Sequence, residues 1–517
     1  MKLNFKEQGK KYTRYWNTCV GAGRANEGLR AIWQDQLKQV VDTCGFKYLR
    51  FHGLFCDDMY FYKEVDGKPV YNFQYIDNLF DAMLDRGIRP FVELSFSPKE
   101  LASNDNTVCM WRGWGSPPND NQKWADLITF ALNHWIERYG LEEVKQWYFE
   151  VWNEPNLDGF WKGTRSQYYE LYKWTAKAIK AVNEDLRVGG PATSNFVPDT
   201  RFDHDLEDFS AHVTFKVDDI NTLEWHGVWI EDFLAYCERE EIPVDFVSTH
   251  PYPTDFAFDN SGTIAGRTRY RDSLRDDLNW LKAAIAKSAY PNAEIHLTEW
   301  STSPSSRDHG HDYLPAATYV MRANLQCIGL TDSLSYWIFT DIMEEAGAGP
   351  KSFHGGFGMI TLQGVKKPVY HAYRMLNTLG DEILSEGEGY FFTKKDDRLS
   401  AVFYEYPDSF TDTVPMSVFP NQQIALDCQN YDDSRDYCFE VEGLVPGAEY
   451  TLQVLHRDDI AIHKWNEMGA PTTPTREQEK ELRAQGEVLR EQKFTVDENG
   501  VLKAAFTLDA WSIASLN

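Results

Sequence analysis

The sequence offers no route into a membrane and no metal or disulfide framework. Nowhere do as many as roughly 18 apolar residues run together, and the opening MKLNFKEQGKKYTRYW lacks the apolar stretch of a secretory signal. The chain is therefore expected to be soluble and cytoplasmic, with no membrane partner. Its 8 cysteines are scattered, with no CxxC pair and no zinc-ligand spacing, so buried free thiols of a reducing compartment are expected. Positive charge is scarce as well. Against 52 Lys and Arg stand 79 Asp and Glu, a formal charge of −27, which argues against nucleic acid as a partner. Neither a GxGxxG dinucleotide fingerprint nor a P-loop occurs. No cofactor and no metal are expected.

Aromatic residues, by contrast, are plentiful: 17 Trp, 27 Tyr and 31 Phe. Most should fill a core, but flat aromatic faces placed at strand ends can also stack on sugar rings. A chain of 517 residues exceeds the size at which a single core stops growing, so two domains are the default. Strand-like runs recur at Thr13–Gly21, Phe46–Phe51, Pro90–Ser95, Trp147–Trp152, Arg187–Gly190, Val244–Thr249, Glu294–Trp300 and Leu334–Thr340. Amphipathic helical patterns lie between them, as at Trp33–Cys44, Tyr168–Asn183, Asp272–Ser288 and Ala316–Gly329. This alternation predicts an α/β fold, a (β/α)8 TIM barrel over residues 13–380. After Gly380 the runs become short and are punctuated by turn residues, so residues 381–517 are expected to form an all-β, sandwich-like accessory domain. Helix is expected there only around Thr475–Gln492, and residues 1–12 are expected to join this domain.

The stretch WYFEVWNEPN, Trp147 to Asn156, is the sharpest chemical signal. An aromatic and β-branched run suits a strand buried on both faces, and Pro155 should end it. Glu154 would then stand at the strand's C-terminal lip, where parallel-barrel enzymes keep their chemistry. EIHLTEWS repeats the pattern, placing Glu299 beside Trp300 at another lip. Glu150 shares the parity of Glu154 but lies about 13 Å deeper along an extended strand. Glu294 starts its strand on the opposite parity to Glu299.

Two carboxyls flanking a bond are what glycoside hydrolysis needs: one protonates the leaving oxygen, and the other attacks the anomeric carbon or activates water. Aromatic neighbours should raise the pKa of Glu154 and suit it to the acid role. Asn153 can bond the sugar hydroxyl next to the reacting carbon, and Glu299 is the candidate nucleophile. The residues alone leave retention and inversion open. Other predicted strand ends bring His52 and Asp57, His250 and Tyr252, and Trp337, Glu344 and Glu345, candidates for binding sugar hydroxyls. In a pocket selective for a sugar that lacks an exocyclic CH2OH, Phe339, Met343, Phe353 and His354 would be the groups expected to close the space it needs.

An ordered set of segments then resembles glycoside hydrolase family 39, which contains β-xylosidases and α-L-iduronidases. The set runs CVGAGR (19–24), HGLFCDD (52–58), SFSPKELAS (95–103), YFEVWNEPNL (148–157), GGPATS (189–194), TEW (298–300), YWIFTDIMEE (336–345) and FHGGFGM (353–359). The β-xylosidase branch is the most similar. The resemblance implies a retaining exo-glycosidase, with Glu154 as acid/base and Glu299 as nucleophile. It also assigns His52, Asn153, His250, Tyr252, Trp337, Glu344 and Glu345 to the pocket for the sugar being released. Its expected partner is an oligosaccharide or glycoside, and it admits a homo-oligomer. The loop STSPSSRDHG after Glu299 and the Pro251 and Pro253 frame around Tyr252 depart from the family pattern. They keep another exo-glycosidase of the family, such as an arabinosidase, galactosidase or iduronidase, open as an alternative; a non-catalytic sugar-binding protein is the other alternative, and the retained pair of lip glutamates argues against it.

Overall fold

A computed structural model describes residues 1–197, 225–258, 264–410 and 422–517. Eight parallel strands close into a barrel in chain order. They are β1 (Cys19–Arg24), β2 (Tyr48–His52), β3 (Arg89–Leu94), β4 (Tyr148–Val151), β5 (Arg187–Ser194), β6 (Phe246–His250), β7 (Glu294–Trp300) and β8 (Ser333–Tyr336). The first strand starts later than its apolar run suggests. Tyr15 and Trp16 instead precede the barrel as buried residues that pack on one another edge-on. The last strand ends before Trp337, so Trp337 to Thr340 belong to the loop beyond it.

Helices such as Ala31–Cys44, Asn121–Tyr139 and Arg165–Val182 ring the barrel and turn their apolar faces inward. Their starts are fixed by side chains. Asp120 accepts from the backbone N–H groups of Gln122 and Lys123, and Thr164 forms a reciprocal capping box with Gln167.

The barrel interior is layered, as expected where alternate strands contribute side chains at one level. Cys19, Phe91, Tyr148 and Phe246 form an apolar plug at the N-terminal end, with Phe91 stacked on Tyr148 at 4.8 Å. One pleat higher the layer turns polar, with Arg50, Glu93, Glu150 and Thr298 all fully buried. The site sits above it.

Beyond Gly380 lie the two sheets that bear out the expected all-β part. A seven-stranded sheet includes Tyr390–Lys395, Arg398–Tyr404, Glu449–Leu455 and Ile513–Leu516. A three-stranded sheet is built on Ser434–Glu442 and Val501–Asp509. Phe392, Phe403, Phe439, Leu452 and Leu502 fill the space between them. Residues near the N-terminus join both sheets: Lys2–Asn4 pairs with Ser434–Glu442, and Lys10–Lys11 with Glu382–Gly387. A helix at Ala461–Glu467 went unforeseen, because its seven residues are too short to display a period. The expected helix at Thr475 stops at Gln485, well short of Gln492, because the chain must reopen into the strand Arg490–Thr495. No helix among the described residues is long and apolar enough to cross a membrane. All eight cysteines are free thiols.

Candidate active site

The chain leaves β4 under tension. Trp152 and Glu154 adopt the left-handed backbone region, at φ of 72° and 41°, which costs a non-glycine residue about 1 kcal/mol or more. The loop is bolted to the end of β5. The Glu154 N–H donates to Ala192 O at 2.9 Å, and Asn156 exchanges two hydrogen bonds with the Ser194 backbone at 2.8 and 2.9 Å. Trp152 adds a bond from its indole N–H to Phe160 O at 3.1 Å. These contacts hold the Glu154 carboxyl over the barrel axis, where it is only 6% exposed.

Glu299, 4% exposed, arrives from the opposite side at the end of β7. One carboxylate oxygen of each glutamate and a ring nitrogen of His250 all lie within 4.8 Å of one another. His250 Nδ1 is 2.9 Å from Glu154 Oε1, and its Nε2 is 2.9 Å from the Thr298 hydroxyl. Tyr252 donates its O–H to Glu299 Oε2 at 3.3 Å, and His52 Nε2 stands 3.5 Å from Glu299 Oε1.

Arg50 ties the polar layer to this pair, and nothing in the sequence pattern singled it out. Its guanidinium donates to Glu150 at 2.6 Å, to Asn153 Oδ1 at 2.7 Å and to Glu299, and it lies 2.9 Å from Glu93. Glu93 in turn holds His52 Nδ1 at 2.7 Å and accepts from the Ser95 hydroxyl. Glu150, set aside as too deep, is therefore part of the site's support; its other oxygen accepts from Thr298 at 2.7 Å. The available signal was a lone arginine, in phase with His52, inside the apolar strand YLRFH. In the pocket, the buried Asn153 Nδ2 has no hydrogen-bond partner, while His52 Nε2 has only the ionic contact to Glu299. A buried polar group left unmatched costs about 1–3 kcal/mol, so Asn153 is poised for a polar ligand.

Burial dominates the electrostatics. It pushes Glu154 up to about 7, with Ser194, His52 and Arg50 pulling the other way. Burial also raises Glu299, as does the like charge of Glu154, opposed by Arg50 and cationic His52. Burial lowers His250 to about 4, so its imidazole is neutral near pH 7. The same burial would lower His52, but Glu93 and Glu299 outweigh it and hold that ring cationic, at about 9. Glu345 is also raised to about 7, by burial, with cationic His52 opposing and the negative charges of Glu299 and Glu154 adding to it.

The structure thus brings together Glu154, Glu299, Asn153, His52, His250 and Tyr252, with Glu345 near enough to feel their charge. Trp337 closes one side, its ring 4.8 Å from His52 and 5.8 Å from the Arg50 guanidinium. Glu344 does not share this space, because its carboxylate is held by Arg24 at 2.8 Å and by Arg30 at the rim. Asp57 is exposed and gives its oxygens to the Lys99 N–H and the Trp114 indole. Phe339 packs edge-on against Trp33 of the helical ring, and Phe353 lies tilted against Trp465. His354 bonds Lys351 O. Met343 and Phe357 are the bulky groups clustered with Trp337. Among the described residues, Glu154, His250 and Glu299 are also the group spaced to hold a cation.

The profile described as "Glycosyl hydrolases family 39" matches residues 1–503. A β-xylosidase of Geobacillus stearothermophilus is 36% identical over 514 residues, covering 96% of this chain and 91% of its own. The crystal structure of a monomeric β-xylosidase from Caulobacter crescentus CB15 superposes with a TM-score of 0.83 at 33% identity, covering 100% of this chain and 98% of its own. Human α-L-iduronidase is similar over less, 28% identical across 32% of this chain and 25% of its own. The chain belongs to glycosyl hydrolase family 39, and it is a glycosidase on a TIM barrel.

Proposed function

We propose that this chain is a retaining exo-β-xylosidase that trims xylose from xylo-oligosaccharides, with Glu154 as acid/base and Glu299 as nucleophile. The observation that carries this reading is the spacing of the two carboxylates, within 4.8 Å at their facing oxygens. Retaining enzymes hold such a pair roughly 5–5.5 Å apart, whereas inverting ones leave about 6.5–9.5 Å for a water between. The near full-length similarity to β-xylosidases favours xylose over the sugars of the partial relatives.

In the first step Glu299 attacks the anomeric carbon while Glu154 gives its proton to the departing oxygen. Arg50, cationic His52 and the Tyr252 hydroxyl surround Glu299 with donors and positive charge, which favours the ionised form there. Glu154 bonds neutral His250 and keeps the proton of the pair. The free N–H of Asn153 supports a bond to the hydroxyl beside the reacting carbon, a contact that tightens as the ring flattens. In the second step Glu154 takes a proton from water, which displaces Glu299. The eight free thiols support a reducing compartment such as the cytoplasm. Turnover across a panel of nitrophenyl glycosides tests the reading. Preference for the β-xyloside is expected, and turnover of none would favour a sugar-binding protein.

A further inference from the structure

One buried cation takes no part in the chemistry proposed above. Lys367 stands at the N-cap of the helix Pro368–Asn377, and its side chain is buried together with those of Asp312 and Asp341. An ammonium has three donors, and three acceptors meet this one. They are Asp312 Oδ1 at 2.9 Å, Gly356 O at 2.6 Å and Asp341 Oδ2 at 3.2 Å. Asp312 comes from the loop after β7 and Asp341 from the loop after β8. The other oxygen of each carboxylate holds the segment HGGFG, residues 354–358. Asp312 Oδ2 accepts from the Gly355 N–H at 2.8 Å, and Asp341 Oδ1 from the Gly358 N–H at 2.7 Å. The segment runs so close to Asp341 that a Cβ at Gly356 would stand 2.3 Å from its carboxylate, and one at Gly358 2.2 Å from its backbone nitrogen.

Phe357 lies between two peptides that this cluster bonds, Gly356 through its carbonyl and Gly358 through its N–H. Its ring is 5.2 Å from that of His311 and packs with Trp337 and Met343. Trp337 closes the pocket beside His52, and Met343 follows Asp341 by two residues. A buried cation shared by two carboxylates and a carbonyl admits one arrangement, because moving a partner strands a charge away from water. We infer that Lys367 is the positioning residue that fixes Phe357, and with it Trp337 and Met343, as the wall that sets sugar selectivity without touching the sugar. This rests on the proposed glycosidase pocket but not on the sugar being xylose.

The test is the ratio of kcat/KM between the nitrophenyl glycoside the enzyme prefers and its homologue differing by one CH2OH. In the proposed reading these are the β-xyloside and the β-glucoside. Both rates come from one preparation, so the folded fraction cancels and a loss of stability alone does not move the ratio. Lys367→Met leaves two buried carboxylates without their cation. Combining it with Asp312→Asn and Asp341→Asn removes all three charges yet keeps the acceptors for Gly355 and Gly358, so this triple variant preserves the fold. The ratio should fall about fivefold or more in both, as a slackened wall admits the bulkier sugar. The alkaline limb of kcat/KM on the preferred glycoside should stay in place, because Glu154 and Glu299 keep their partners. A wild-type ratio in the triple variant would overturn the inference, since the cluster would then serve stability alone. A shifted alkaline limb with an unchanged ratio would also overturn it, by placing the effect on the carboxyl pair. A wild type that prefers a sugar other than xylose would refute the xylose assignment, and the inference is then read on that sugar and its own homologue.

Discussion

Replacing Glu299 with Gln removes a charge without changing shape, and the titration of Glu154 should report it. The facing oxygens lie within 4.8 Å. Two unit charges at that distance interact by about 3.5 kcal/mol at an effective dielectric constant near 20. That equals about 2.5 pH units as an upper bound, and Arg50 and His52 neutralise much of the field. Glu154, pushed up to about 7 chiefly by burial, should fall by a fraction of that bound in Glu299→Gln. Carbon-13 NMR of labelled glutamate side chains measures this directly. In the wild type the alkaline limb of kcat/KM belongs to the same group. Activity needs Glu154 protonated, so it is lost as pH rises through about 7, and it needs Glu299 ionised, so it is also lost in acid. An unchanged Glu154 titration in the variant would mean that Glu299 is already neutral when Glu154 ionises. The pair's proton would then rest on Glu299, and the reasoning above would fail.

Three further outcomes follow from the geometry. Glu154→Ala should keep glycosylation by activated aryl glycosides but stall at deglycosylation, and azide should restore turnover as a β-glycosyl azide, read by product NMR. Arg50→Met should cost about 3–5 kcal/mol of stability in denaturant unfolding, because it strands Glu93, Glu150 and Glu299 as buried charges. A β-xyloside should exceed the matching β-glucoside by at least about tenfold in kcat/KM, since Met343, Phe357 and Trp337 are packed together and added bulk against such a wall costs about 1–3 kcal/mol. Comparable rates on the two sugars would refute the xylose assignment alone.

The barrel was legible because its strands are short apolar runs separated by helices with a clear period, and β7 matches its apolar run from end to end. Glu154 and Glu299 were legible for a local reason: each stands at the C-terminal end of an apolar strand run, Glu154 two residues after Trp152 and Glu299 next to Trp300. Arg50 was not, because its role depends on acids from β3, β4 and β7 that no local pattern links to β2. Glu344 and Glu345 are neighbours in one loop, and only the positions of Arg24 and Arg30 decide that Glu344 turns to the rim. Phe339 misled for a similar reason. The strand ends at Tyr336, so the inward and outward alternation cannot be extended to residue 339.

The central claim is that Glu299 forms a covalent bond to the sugar, and trapping that intermediate tests it most directly. A fluorinated β-xyloside with a good leaving group should inactivate the enzyme with one label per chain. Peptide mapping by mass spectrometry should place the label on Glu299, with β-xylose as the first product of ordinary turnover. A label on Glu154, or no label together with α-xylose as the first product, would contradict the account.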